Sequence, residues 1–200
     1  MIDINSHIKA IQRSVTRTDD TVAVVLGRTY DASVEDVWDA LTDPERIARW
    51  FMPIHGDLKV GGTFQLEGNA GGEILACEPP DTFTVTFGGD TSVVVVRLTG
   101  AGEATDFEMT HTVPLAMAGS GAGAMYVGPG WDGGLLGLGL FLSGEAVGDP
   151  VAAASSPEAV AYFKESVLAW EAAVSSSGTA TAEELEAAKQ VATAQFAPEN

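Results

Sequence analysis

Hydrophobic and polar residues alternate with period two in two parts of the chain, and this alternation is typical of half-buried β-strands. The first part is 21–30, where every second residue from Val22 to Leu26 is apolar. The second part, between residues 57 and 113, is divided by Gly, Pro and Asp residues into segments about ten residues apart. The segments are 57–60, 63–68, 72–78, 82–88, 92–99 and 104–113. Such spacing predicts an antiparallel meander.

The same alternation predicts which side chains of the meander are buried. In 82–87, Phe83, Val85 and Phe87 alternate with threonines. Similar patterns place the following residues on the same apolar face: Phe64, Leu66, Val94, Val96, Leu98, Phe107, Met109, His111 and Val113. This face therefore carries aromatic rings and one titratable side chain, His111.

Helical periodicity appears in three places around the meander. Ser33 is a predicted N-cap before an apolar stripe of Val34, Val37, Trp38 and Leu41, and Asp43-Pro44 begins a short helix that carries Ile47, Trp50 and Phe51. A third helix is predicted over 131–143, with Trp131, Leu135, Leu138 and Leu142 on one face. Gly133 and Gly137 leave a flat surface on this helix for close packing. Each glycine lowers the stability of the helix by about 1 kcal/mol relative to Ala.

The last 50 residues have the pattern of a helical hairpin. Ser156-Pro157 begins one helix, Gly178 ends it, and Thr181 to Glu184 forms a capping box for the next. Each helix has one apolar face that must pack on the body or on another subunit. The segment 115–130, rich in Gly, Ala and Met, is predicted to be a lid or a disordered loop.

Composition excludes several classes of function. The 200 residues carry a formal net charge of −18, and no Lys or Arg lies between Arg97 and Lys164, which excludes sequence-independent binding to nucleic acid. The single cysteine, Cys77, permits neither an internal disulfide nor a thiolate zinc cluster. No signal peptide or apolar run long enough for a membrane span is visible, so we expect a cytoplasmic protein without membrane insertion.

Local motifs resemble the opening of the SRPBCC superfamily, which includes START and birch-pollen-allergen-like proteins. They are Tyr30-Asp31-Ala32-Ser33 through Val37-Trp38, then Thr42-Asp43-Pro44-Glu45 and Arg49-Trp50-Phe51. Later landmarks are similar to those of its branch named after the activator of heat-shock-protein-90 ATPase. They are Gly61-Gly62, Gly72-Glu73, Pro79-Pro80, Thr110-His111 and Gly130-Trp131. The resemblance covers about residues 20–145.

The resemblance implies an α+β helix-grip fold, in which a curved antiparallel sheet wraps around a long helix and encloses an apolar cavity. The predicted organisation is an N-terminal segment (1–20), a helix-grip domain (21–148) and a C-terminal αα-hairpin extension (149–200). Members of this superfamily bind lipids, sterols or polyketides, and some are cyclases or dehydratases.

The candidate ligand-binding residues combine the apolar sheet face with the helices. They are Trp50, Phe51, Phe64, Leu66, Phe83, Val85, Phe87, Phe107, Met109, His111, Trp131, Leu135, Leu138 and Leu142. Candidate lid residues are Met117, Met125 and Tyr126. The three histidines lack metal-ligand spacing, so neither a metal nor a cofactor is predicted.

Three functions remain open from the sequence. The first is binding of a hydrophobic small molecule without catalysis. The second is a polyketide cyclase- or hydrolase-type enzyme in the same cavity, with His111 as the acid/base group; the competing interpretation is a buried histidine hydrogen-bonded within the fold. The third is a protein-interaction or co-chaperone module. A homodimer through the C-terminal hairpin is also open.

Overall fold

An antiparallel sheet of eight strands forms the centre of the described part of the chain. The computed structural model describes residues 3–145 and 156–198. The strands are β1 (Gln12–Arg17), β2 (Thr21–Tyr30), β3 (Ile54–Gly56), β4 (Thr63–Leu66), β5 (Gly71–Glu78), β6 (Thr82–Thr86), β7 (Val93–Ala101) and β8 (Ala104–Pro114). Their order is β1-β2-β8-β7-β6-β5-β4-β3, and the sheet is curved and unclosed. The predicted α+β helix-grip fold is confirmed.

Helices cover the concave face and one edge of this sheet. They are α1 (Ile4–Ala10), α2 (Val34–Thr42), α3 (Pro44–Trp50), α4 (Leu115–Ala118), a 3₁₀ helix (Gly121–Tyr126), α5 (Gly128–Leu142), α6 (Pro157–Ser177) and α7 (Ala182–Phe196). The predicted caps are present: Ser33 accepts a hydrogen bond from the Asp36 amide, Asp43 accepts from the Glu45 and Arg46 amides, and Thr181 and Glu184 form a capping box.

The N-terminal segment contains elements that the pattern did not predict. Strand β1 pairs with β2 over its whole length, from Gln12 opposite Gly27 to Arg17 opposite Val22. Its alternation is short, with Val15 as its one buried apolar residue. Tertiary pairing with β2, rather than local pattern, therefore creates this strand.

The prediction of a strand at 57–60 is wrong. The strand that pairs with β4 is instead β3, where Ile54 lies opposite Leu66. Residues 57–62 form a turn, closed by hydrogen bonds from the Lys59 amide to Asp57 O and from the Gly62 amide to Lys59 O. Leu58 and Val60 consequently lie at the surface, 38% and 55% exposed.

The segment 115–130 is folded rather than a free loop. Its 3₁₀ helix buries Ala122, Ala124 and Met125 in the main core. Small residues make this possible, since a Cβ on Gly121 would lie 1.8 Å from the Thr179 hydroxyl oxygen. The segment is therefore packed beneath the C-terminal hairpin.

Glycines on α5 permit close contacts with neighbouring helices. A Cβ on Gly133 would lie 2.9 Å from the Phe163 ring, and one on Gly137 would lie 2.7 Å from Trp50 O. The predicted flat surface of this helix is thus used twice, against α6 and against α3.

The C-terminal hairpin shares its core with the sheet. Val167, Trp170 and Val174 of α6 are buried in the same cluster as Leu26 of β2 and Leu138 of α5. The predicted linker after Gly148-Asp149-Pro150 lies outside the described residues, and the division into a domain and an extension stays a prediction. In the described ranges, no helix combines the length and hydropathy needed to span a bilayer.

Candidate ligand-binding cavity

A cavity of about 400 Å³ lies between the concave face of the sheet and helices α2, α3 and α5. Its walls include these predicted residues: Trp50, Phe51, Phe64, Leu66, Phe83, Val85, Phe87, Phe107, Met109, Trp131, Leu135 and Leu138. Its other lining residues are Leu41, Thr42, Ile47, Ile54, Leu58, Lys59, Val60, Ile74, Cys77, Pro79, Val94, Val96 and Gly134. The volume is within the range of about 300–1,000 Å³ typical of small-molecule sites.

Few polar groups face this cavity, and the hydroxyl and indole groups in its walls are already bonded. The Thr42 hydroxyl donates to Trp38 O at 2.8 Å, and the Trp50 indole N–H donates to Ala40 O at 2.9 Å. A buried polar group on a ligand would lose its hydrogen bonds to water without replacement. The interior therefore suits hydrocarbon or aromatic surface.

Aromatic pairs stiffen the walls. Trp38 packs edge-on against Phe83 with ring centroids 6.0 Å apart, and the centroids of Phe87 and Trp131 are 5.0 Å apart. Such pairs add about 0.5–1.5 kcal/mol beyond their area burial. The rings thus form part of a preformed cavity wall.

Exposed lining residues mark the mouth of the cavity, and the turn between β3 and β4 forms one border of it. Three consecutive lining residues, Leu58, Lys59 and Val60, are exposed here. Backbone hydrogen bonds to β5 hold the turn in place, so the mouth has a fixed edge.

His111 lies behind the cavity wall and is fully hydrogen-bonded. The Trp131 indole donates to Nδ1 at 3.1 Å, and Nε2 is 2.8 Å from the Ser92 hydroxyl oxygen. Burial lowers the pKa of His111 from 6.5 to about 4. The imidazole is therefore neutral at pH 7 and supports Trp131 rather than lining the cavity.

The contact between Ser92 and His111 does not form a nucleophile–base pair. An indole nitrogen can only donate, so Nδ1 must be the acceptor and Nε2 must carry the proton. The protonated Nε2 donates to Ser92 and has no lone pair with which to deprotonate it. Ser92 is itself buried.

Comparisons with known proteins identify the family. A family model described as "Activator of Hsp90 ATPase homolog 1-like protein" matches residues 31–135, which is more than half of the chain. CalU16 from Micromonospora echinospora is 37% identical in its crystal structure, with a TM-score of 0.68, over 82% of this chain and 98% of that one. The chain belongs to the activator of Hsp90 ATPase homolog 1-like family. The sequence resemblance is confirmed.

Two further solved structures match less of the chain. DynU16, a protein in the dynemicin biosynthetic locus, is 28% identical with a TM-score of 0.54, over 64% of this chain and 49% of that one. Ms6760 from Mycobacterium smegmatis shares the fold at 19% identity, with a TM-score of 0.52 over 66% of this chain and 99% of that one. No curated protein matches the chain.

Some predicted site residues of this family member lie away from the cavity. Neither His111 nor Leu142 lines it, nor do the predicted lid residues. Met125 is buried in the main core, whereas Met117 and Tyr126 are 62% and 42% exposed. The structure therefore shows no lid formed by Met117, Met125 and Tyr126, because the 3₁₀ helix turns Met125 into the core.

A buried ion pair at Asp132 is the main polar feature that the sequence analysis missed. Asp132 on α5 accepts from Arg13 Nε at 3.0 and 3.1 Å and from the Trp170 indole at 3.1 Å, and Ser166 donates to it as well. Burial raises the pKa of Asp132 from 3.8 to about 6, although these donors favour the ionised form. One signal was available: Asp132 is the single charged residue of an otherwise apolar helix.

The Asp132 cluster joins three parts of the chain rather than forming a site. Arg13 comes from β1, Asp132 from α5, and Ser166 and Trp170 from α6. Asp132 is absent from the cavity walls. In the ranges 3–145 and 156–198, no cluster of three His, Cys, Asp or Glu side chains has the arrangement of a metal site.

Proposed function

We propose that the protein binds a hydrophobic small molecule, of the lipid, sterol or polyketide class, in the cavity between the sheet and α5. The observation that carries the proposal is a cavity of about 400 Å³ with an apolar lining, whose hydroxyl and indole groups are already hydrogen-bonded. Burial of apolar surface contributes about 25 cal/mol per Å², so a ligand that fills the cavity gains affinity from the apolar surface that it buries.

The cavity volume favours a compact ligand. An apolar cavity of about 150 Å³ holds one benzene ring, so a cavity of about 400 Å³ has room for a body of two to three rings. The aromatic rings in the walls, among them Phe83, Phe87 and Trp131, can pack against the flat faces of a polyketide-like aromatic body. The similarity to DynU16, a protein in a biosynthetic locus, is consistent with such a ligand.

The proposal contains no catalytic step. His111, the candidate acid/base group, has both ring nitrogens bonded to Trp131 and Ser92 and lies outside the cavity walls. No observation favours the cyclase or hydrolase alternative over binding. The interaction alternative rests on the family description, and a homodimer through the hairpin stays a prediction.

Fluorescence titration with N-phenyl-1-naphthylamine, a neutral three-ring probe, tests the proposal. We expect saturable enhancement with the wild-type protein. Gly134→Leu should weaken the affinity at least tenfold, because Gly134 lines the cavity and a Cβ there has only an ordinary contact, 3.9 Å from the Phe51 ring. The matched control is Gly130→Leu on the same helix, outside the walls, which should bind as the wild type does. Absence of binding, or equal binding by Gly134→Leu, would contradict the proposal.

A further inference from the structure

Lys59 is the one charged residue among the described residues that line the cavity. It lies at the mouth, between exposed Leu58 and Val60, and its side chain is 73% exposed. The rest of the lining is apolar except for Thr42 and Cys77. A ligand seated in the cavity would therefore meet hydrocarbon inside and one ammonium group at the entrance.

Backbone hydrogen bonds fix the position of residue 59 at the mouth. The Lys59 amide donates to Asp57 O at 2.8 Å, and Lys59 O accepts from the Gly62 amide at 2.8 Å. The turn is anchored to β5 through the paired hydrogen bonds between Gly61, Gly62 and Ile74. Only the side chain of Lys59 is free to adjust to a ligand.

The present partner of Lys59 is weakly held. Its Nζ lies 3.0 Å from Asp57 Oδ2, and the Asp57 side chain is 61% exposed. Exposed ion pairs of this kind contribute about 0–1 kcal/mol, so a ligand anion that is partly shielded from water can replace Asp57. A charge-assisted hydrogen bond to such an anion is stronger than one between neutral groups.

We infer that the ligand is an amphiphilic anion, whose ring body fills the cavity and whose acidic group is held at the mouth by Lys59. The inference rests on the proposed binding function and adds the chemical class of the ligand. A carboxylate, sulfonate or phenolate would meet the requirement equally. A neutral hydrocarbon would leave Lys59 unused.

A pair of probes with a common ring body tests the inference. 1-Anilinonaphthalene-8-sulfonate and N-phenyl-1-naphthylamine differ only by the sulfonate, so their affinity ratio isolates the anionic group. Each is titrated by fluorescence into the full-length wild type, Lys59→Met and Lys164→Met. Lys164→Met removes the same charge from an exposed position on α6 and controls for net charge.

We expect Lys59→Met to weaken sulfonate binding by about three- to tenfold and to leave naphthylamine binding within about twofold. Lys164→Met should change neither affinity. Asp57→Asn should tighten sulfonate binding, because it removes the competing carboxylate. Added NaCl should reduce the difference in sulfonate affinity between the wild type and Lys59→Met, since it screens the exposed Lys59 charge.

Three results would overturn the inference. The first is an unchanged ratio of the two affinities in Lys59→Met, and the second is a wild type that binds the naphthylamine and not the sulfonate. In both cases the proposed binding function stands. If the wild type binds neither probe, the proposed function fails together with the inference.

Discussion

At the residue scale, His111 acts as a support for the cavity wall. Its neutral Nδ1 accepts the Trp131 indole proton, and Trp131 in turn contacts Phe87 and lines the cavity. Protonation of Nδ1 would place an N–H against an N–H. The wall is therefore built for the neutral imidazole.

This support makes stability depend on pH. Because the pKa of His111 is about 4 in the folded protein and 6.5 when unfolded, the unfolded state binds more protons between those values. The His111 contribution is complete above pH 6.5 and is lost as the pH falls towards 4, by at most about 1.4 kcal/mol per pH unit. Urea unfolding of the wild type and His111→Gln at pH 7.5, 5.5 and 4.5 measures it.

Asp132 has the opposite effect in part of the same range. Its pKa is about 6 in the folded protein and 3.8 when unfolded, so the folded state binds more protons and stability falls as the pH rises from 4 to 6. The free energy of unfolding of the wild type therefore changes less with pH in this range than either contribution alone. The difference between the wild type and His111→Gln should still shrink on acidification; a constant difference would contradict the role given to His111.

The ion pair between Arg13 and Asp132 is predicted to be costly to break singly. Both side chains are almost fully buried, with 7% and 0% exposure, so Asp132→Asn leaves the Arg13 charge without its partner. We expect a loss of about 3–5 kcal/mol in the free energy of unfolding. The double variant Arg13→Met/Asp132→Leu should recover part of it, and urea unfolding measures both. If Asp132→Asn lowers the free energy of unfolding by less than about 1 kcal/mol, the claim that this buried ion pair is costly to break is wrong.

At the element scale, two glycines of α5 give a matched test of packing. A Cβ on Gly128 would lie 2.4 Å from the Trp170 indole, whereas one on Gly130 would lie 3.5 Å from the Phe196 ring. Gly128→Ala should therefore destabilise the protein by about 1–3 kcal/mol. Gly130→Ala should be neutral or stabilising by up to about 1 kcal/mol. Thermal unfolding compares them, and equal effects would show that α5 and α6 are less closely packed.

The elements that the sequence predicted are those with strong local signals. β6 and β8 alternate regularly, and α2, α3 and α7 carry capping residues that the structure uses. β1 depends on pairing with β2, and the 3₁₀ helix depends on packing beneath the hairpin, so neither has a pattern of its own. The prediction of a strand at 57–60 failed because Leu58 and Val60 are apolar yet exposed in a turn.

At the scale of the whole molecule, the C-terminal helices are part of the core. Trp170 and Val174 are fully buried against the body, and Trp170 also bonds Asp132. A chain ending at residue 150 would expose this core and remove two donors from Asp132. We expect it to lose cooperative thermal unfolding and its near-ultraviolet circular dichroism. A cooperative transition at the wild-type temperature would instead support the predicted separate extension.

The candidate cavity was partly predictable from the sequence. Strand alternation identified Phe83, Phe107 and other wall residues, because period two places them on one face. The mouth at Lys59 was not predictable, because it depends on the geometry of a turn. His111 was assigned to the correct face, but only tertiary contacts with Ser92 and Trp131 show that it lies behind the wall.

A crystal structure of the protein with N-phenyl-1-naphthylamine would locate the bound ligand. We expect electron density for the rings between α5 and the sheet, in contact with Phe83, Trp131 and Leu138, and none in Gly134→Leu. Density at another surface, or a cavity that stays empty at saturating probe, would contradict the claim that this cavity is a binding site.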